Sequence, residues 1–247
     1  MVKIKPHPAT SGNASADRLL TLLTAFRIGD KSLTLAELAE RTELNKATIM
    51  RLIVSLEDFG FVNRLSDGRY TLASEVMRLN TIYQDALDLE RHVMPCLQQL
   101  VDEIGETASF YVKHGAYRLC QYRINSTHRL RVHVQPGEVR PMDGAACAQA
   151  LKSTYEQVLA RTEPFYSTGV TEPHAAGMAL PVFDAQNEVV GALLISGPSS
   201  RFTAEVAKSV GDFFFKIADD LTKSLGGKSL SLIHVSEPTR HNIASGL

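Results

Sequence analysis

Lys46, Thr48 and Arg51 stand in the run NKATIMRLIVSLED, where no carboxylate appears before Glu57. Two cations and a hydroxyl without a neighbouring acid can bind phosphate, which an acid would repel. Ala47 and Met50 share the stretch, and small or apolar side chains can meet base edges, including thymine methyl groups. A second cluster is Gly144-Ala145-Ala146-Cys147. Small residues let backbone N–H groups approach an anion closely, although they equally suit a tightly packed helix start. Cys147 is the candidate nucleophile there. No His/Asn pair at recognisable spacing accompanies it, so no catalytic residue and no enzyme activity is expected. His114, His128, His133 and His174 lack metal-ligand spacing, and no CxxC joins Cys96, Cys120 and Cys147. Neither a metal nor a cofactor is expected.

The totals constrain the setting. A chain of 247 residues is long enough for one large domain or two ordinary ones. A formal net charge of -1 gives no general support to polyanion binding, so any basic surface must be local. Three scattered cysteines suit a reducing, cytoplasmic compartment. No apolar run approaches the roughly 18 residues of a membrane helix, and MVKIKPHPATSGNAS lacks the apolar core of a secretory signal. Residues 1–14 read as a flexible arm. The segment SLSLIHVSEPTRHNIASGL after Gly226-Gly227 has no helical period. Most of Leu230 to Arg240 agrees with translated sequencing adapter, so 228–247 reads as a non-native or disordered tail.

The elements that must position the basic cluster follow from periodicity. Ser15 can cap a first helix, with Leu19, Leu23 and Phe26 on one face and Gly29-Asp30 at its end. Thr34-Leu35-Ala36-Glu37 is a capping box opening a second helix that buries Leu35, Leu38 and Ala39. Asn45 caps a third, ending at Phe59-Gly60, whose core side is Ile49, Leu52, Ile53, Leu56 and Phe59. FVNRLSDGRYTL then predicts a hairpin turning at Asp67-Gly68, with Arg64 and Arg69 flanking the tip. Three helices and a hairpin make the order of a winged helix-turn-helix over 15–73. In such a module the third helix enters the major groove and the wing contacts the backbone.

Helical spacing resumes from Ala73 to about Ile104, through Val76, Leu79, Ile82, Tyr83 and Leu87, with a possible bend at Pro95. Residues 74–87 read as a linker helix and 88–227 as a second domain. TASFYVKHG, YRLCQYRIN and RLRVHVQPG predict successive strands, and helices follow from Ala145 and Tyr155. GMALPVFD and EVVGALLISG predict two more strands around a turn at Asp184–Asn187, and a last helix spans Thr203–Gly226. The fold class is therefore α+β, with an antiparallel sheet flanked by helices in the second domain.

The chain resembles the IclR family of bacterial transcriptional regulators. LAELAERTELNKATIMRLIVSLEDFGFV and GRYTLASEVMRL resemble its winged helix-turn-helix. PMDGAACAQAL and ALPVFDAQNEVVGALLISGPSSR resemble motifs of its effector domain. The resemblance implies a GAF-like effector-binding domain and a homodimer or tetramer on a palindromic double-stranded DNA operator. It also implies a small-molecule effector, often an organic or aromatic acid. The DNA-contacting set would be Lys46, Ala47, Thr48, Met50, Arg51, Arg64 and Arg69. The effector set would be Gly144, Ala145, Ala146, Cys147, Gly177, Leu194 and Ser196, with Ala146 and Cys147 at the effector's carboxylate. Departures from the family pattern are a short Arg161–Gly177 segment, Gly177 in place of a common Cys, Leu194 in place of a Ser, and Asp143 in place of His. They favour a larger or more apolar effector over a two- or three-carbon acid. Two readings from other classes stand beside this one. One is a small-molecule sensor or enzyme with an unrelated helical N-terminus; the other is a winged helix that docks proteins.

Overall fold

The computed structural model describes residues 13–87 and 89–230, with 83–87 as backbone alone. Most of the expected arm, the 231–247 part of the tail and the side chains of Tyr83 and Leu87 lie outside the described residues. The chain divides into two compact units, 1–91 with 134–141 and 92–133 with 142–247.

In the first unit α1 spans Ala14–Leu23, two residues earlier than a Ser15 cap predicts, because Asn13 is the cap and its Oδ1 accepts the Ser15 N–H at 3.0 Å. α2 spans Leu35–Thr42 behind the predicted box. Thr34 Oγ accepts the Glu37 N–H at 3.1 Å, and the Glu37 carboxylate accepts the Thr34 N–H at 2.7 Å. α3 spans Lys46–Asp58, capped by Asn45, whose side chain accepts the Thr48 N–H at 2.8 Å. Between them Glu43 takes φ +59°, which turns the chain within three residues. Leu22, Leu38, Ile49, Ile53 and Leu56 fill the core with Leu33, Val62 and Tyr70. Phe59 departs from its expected core place and is 76% exposed. It sits at the helix end, past the last full turn, and Phe61 packs on the core instead. β1 (Val62–Arg64) and β2 (Tyr70–Leu72) are antiparallel, and Gly68 at φ +82° supplies the turn.

Arg41 ties α2 to the chain after α1. Its guanidinium bonds both oxygens of Asp30 and donates to the Ala25 carbonyl at 3.0 Å. The Arg41 hydrogen bond holds the Asp30 carboxyl below its ordinary pKa. A lowered folded-state pKa gives stability that is present above about pH 4 and lost as pH falls through the folded value. Asp30→Asn should therefore cost about 1–3 kcal/mol at pH 7, as expected for a hydrogen bond between charged groups. The gap to wild type should narrow in urea titrations at pH 3. A gap of equal size at both pH values would contradict this.

α4 (Ser74–Leu87) and α5 (Leu89–Ile104) follow, and α5 continues through Pro95. The second unit carries β3 (Thr107–His114), β4 (Tyr117–Ile124), β6 (Phe165–Thr168), β7 (Ala175–Phe183) and β8 (Val189–Pro198). β5 (Val139–Pro141) falls in the first unit; within the second the sheet order is β4-β3-β8-β7-β6, and the pairs β3/β4, β3/β8, β7/β8 and β6/β7 are antiparallel. Its helices are α6 (Ala146–Ala150), α7 (Tyr155–Leu159), α8 (Ala204–Ser209) and α9 (Gly211–Ser224). The single last helix expected over Thr203–Gly226 is thus two, because Val210 leaves helical dihedrals just before Gly211. RLRVHVQPG forms no strand. The carbonyls of Leu130 and Val132 accept guanidinium donors from Arg201 and Arg123 instead of ladder N–H groups.

One sheet face presents Phe110, Leu193, Leu180 and Met178, all buried, and α9 packs on β7. The first residues of the expected tail are ordered against this unit. Asp219 accepts from the Ser229 hydroxyl at 2.9 Å and the Leu230 N–H at 2.6 Å, and Leu230 is buried.

Candidate functional site

Four buried residues, Ile49, Leu52, Ile53 and Leu56, fix which side of α3 faces solvent. Lys46, Ala47, Met50, Arg51, Val54 and Ser55 are exposed on the other side, and Thr48 is half-buried. That outward side carries two cations and no acid over its first three turns. The wing is less uniform. Arg64 is exposed and its guanidinium lies 5.9 Å from the centre of the Tyr70 ring. Arg69 turns inward. It donates to Ser32 Oγ at 2.8 Å and to the Ser32 carbonyl at 2.9 Å, and lies 3.6 Å from Glu37. Its guanidinium braces the wing against α2.

The effector set also converges. Ser167, Gly177, Ser196 and Thr107 are cross-strand partners in one row of the sheet. Ala179, Leu194, Ser109 and Arg123 make the next row, two residues along and so on the same face. α6 packs on β6, β7 and β8, which brings Gly144–Cys147 to the sheet. Ser167 Oγ accepts the Ala146 N–H at 2.8 Å. The short Arg161–Gly177 segment therefore supplies a wall of its own, the edge strand β6. Two departures from the family pattern are coupled by packing. A Cβ at Gly177 would stand 3.0 Å from Leu194 Cδ1, so the leucine occupies space that the glycine leaves. Ser196 is 7% exposed, and its Oγ has no hydrogen-bond partner among the described residues.

Sequence reasoning did not find Arg118, Thr171 or Ser167. Arg118 is 4% exposed and donates from Nη1 to Asp143 Oδ1 at 2.8 Å and from Nη2 to Thr171 Oγ at 3.0 Å. Thr171 Oγ donates to Asp143 Oδ2, and the Ala145 N–H donates to Asp143 Oδ1, both at 2.9 Å. Burial pushes the Asp143 carboxyl up. The Arg118 and Ala145 hydrogen bonds outweigh it and hold the pKa below the ordinary Asp value. Burial likewise pushes the Cys147 thiol up to about 12. The thiol is protonated at neutral pH and carries no thiolate for nucleophilic attack. A cleft of about 520 Å³ opens in the same unit between 130–133, 172–175 and 198–200. None of the seven expected effector residues lines it; the small-residue start of α6 and the unpartnered serine lie elsewhere, on the sheet. Among the described residues no group of three or more His, Cys, Asp or Glu could hold a metal. No helix there is long and apolar enough to cross a membrane.

Residues 15–66 match the IclR helix-turn-helix domain. The transcriptional repressor IclR of Escherichia coli K12 is 28% identical, over 89% of this chain and 93% of its own length. A protein of Silicibacter sp. TM1040 assigned as an IclR transcriptional regulator superposes with a TM-score of 0.74 at 25% identity, covering 87% of this chain and 97% of its own. An IclR homologue of Microbacterium hydrocarbonoxydans, solved with 4-hydroxybenzoate, shares the fold at 16% identity and TM-score 0.67, over 86% of this chain and 99% of its own. The match to the helix-turn-helix, the relatives' full-length coverage and the shared α+β architecture agree: this chain belongs to the IclR family of bacterial transcriptional regulators.

Proposed function

We propose that the chain is a cytoplasmic, ligand-responsive regulator that binds a palindromic operator as a homodimer or tetramer. The observation that carries the reading is the outward side of α3, where Lys46 and Arg51 are exposed, the helix carries no acid before Glu57 and the opposite side is locked into the core. Lys46 and Thr48 reach phosphates, Arg51 reads a base edge, and Ala47 and Met50 fill the groove between them. Arg64 contacts the backbone from the wing, and Arg69 holds the wing in place.

The effector site is the GAF-like sheet face beneath Gly144–Cys147, lined by Gly177, Leu194 and Ser196. A small organic or aromatic acid fits the class, as the 4-hydroxybenzoate on the Microbacterium homologue illustrates. The Leu194 side chain favours a partly apolar molecule. Binding shifts the population between arrangements that suit the operator differently.

The test is a gel-shift titration of DNA from upstream of the chain's own gene, repeated at several salt concentrations. Lys46→Ala should lower the slope of log affinity against log salt by about 1, the share of one phosphate contact. Absence of any retained DNA, or an unchanged slope, would count against the reading.

A further inference from the structure

The cluster of buried Arg118 with half-buried Asp143 and Thr171 lies where Gly144–Cys147 meet the sheet, and its acid belongs to the chain itself. We infer that the Asp143 carboxylate occupies the place a ligand's carboxylate would take against Arg118, Thr171 and the Ala145 N–H. A carboxylate ligand then binds only by displacing it. The inference rests on the effector site proposed above.

Three donors converge on Asp143. They are Arg118 Nη1 at 2.8 Å, Thr171 Oγ at 2.9 Å and the Ala145 N–H at 2.9 Å. A buried guanidinium with a hydroxyl and an amide beside it is an anion receptor, and here its anion is tethered. The neighbouring Ala146 N–H is also taken, by Ser167 Oγ. Ser196 Oγ, 7% exposed and without a partner among the described residues, is the polar group left for a ligand on the sheet row that also holds Ser167. A tethered group acts at a high effective concentration, so an acid in solution competes at a disadvantage. The apparent affinity falls by the fraction of molecules in which Asp143 is disengaged. Asp143 thereby sets selectivity: a weakly basic carboxylate is resisted, and neutral ligands that use Ser196 are not.

Titration calorimetry with benzoate and its neutral analogue benzamide tests this on the full chain and on Asp143→Ala. Benzoate should bind the variant at least about tenfold more tightly than wild type, as removal of a tethered competitor requires. Benzamide should bind both alike. Removing the acid leaves Arg118 buried without it, so Asp143→Asn, which keeps the shape and loses the charge, is run in parallel. A variant that melts early alone and is restored by benzoate but not by benzamide supports the inference. Equal benzoate affinity in all three proteins overturns it. So does an equal gain for benzamide, which would report a cavity rather than a charge. Failure of the operator gel shift would leave this result standing, because the titration reads the ligand alone.

Discussion

Replacing Arg51 by alanine is expected to weaken operator binding roughly 5- to 150-fold, the equivalent of about 1–3 kcal/mol for one base-reading arginine. The side chain is exposed on α3 and makes no hydrogen bond or ion pair among the described residues, so the loss belongs to the complex. Thermal unfolding of the free variant should stay within about 0.5 kcal/mol of wild type, as for other surface substitutions. The two measurements together separate a lost contact from a damaged domain. Discrimination between operator and scrambled DNA should fall along with affinity, whereas Lys46→Ala weakens both DNAs alike. Wild-type affinity in the Arg51 variant would place base reading elsewhere on the surface.

The second large effect is on stability. Gly191 lies in β8, where a Cβ would come within 2.3 Å of Phe110 Cζ and 2.7 Å of the Tyr111 carbonyl oxygen. Phe110 is fully buried on the core face of the sheet and cannot swing outward. Gly191→Ala should therefore destabilise the chain by about 3 kcal/mol, the upper end for overpacking a tight core. It would be read as a lower urea midpoint with an unchanged slope. Phe110→Leu in the same background should recover part of the loss, because it removes the ring that the methyl meets. An unchanged midpoint in the single variant would mean that β3 and β8 can separate at no cost.

The first unit was legible because its signals are local. Thr34 with Glu37, Asn45, and Asp67-Gly68 each fix a helix start or a turn through bonds spanning a few residues. The error there, Phe59, comes from extending a periodicity one residue past the helix end. In the second unit the strands with partners on both sides were found, but RLRVHVQPG was misread. Its alternation is that of a strand, but its Val132 and Leu130 carbonyls accept from Arg123, nine residues away, and from Arg201, 71 residues away. The candidate site divides in the same way. Gly144–Cys147 are contiguous and visible as small residues, and Asp143 was visible as a departure. Arg118 and Thr171 are 25 and 28 residues from Asp143, and nothing in the order of the chain announces that they meet it.

The arginine-held segment at 129–137 has a consequence for how molecules of this chain behave towards one another. A strip of alternating Leu, Val and charged residues with open carbonyls would be a template for β-addition by a neighbour. Guanidinium groups that cap Leu130 and Val132 deny those acceptors to any incoming strand. With those two oxygens already engaged, the ribbon offers a partner strand fewer places to attach than its residue pattern alone would provide.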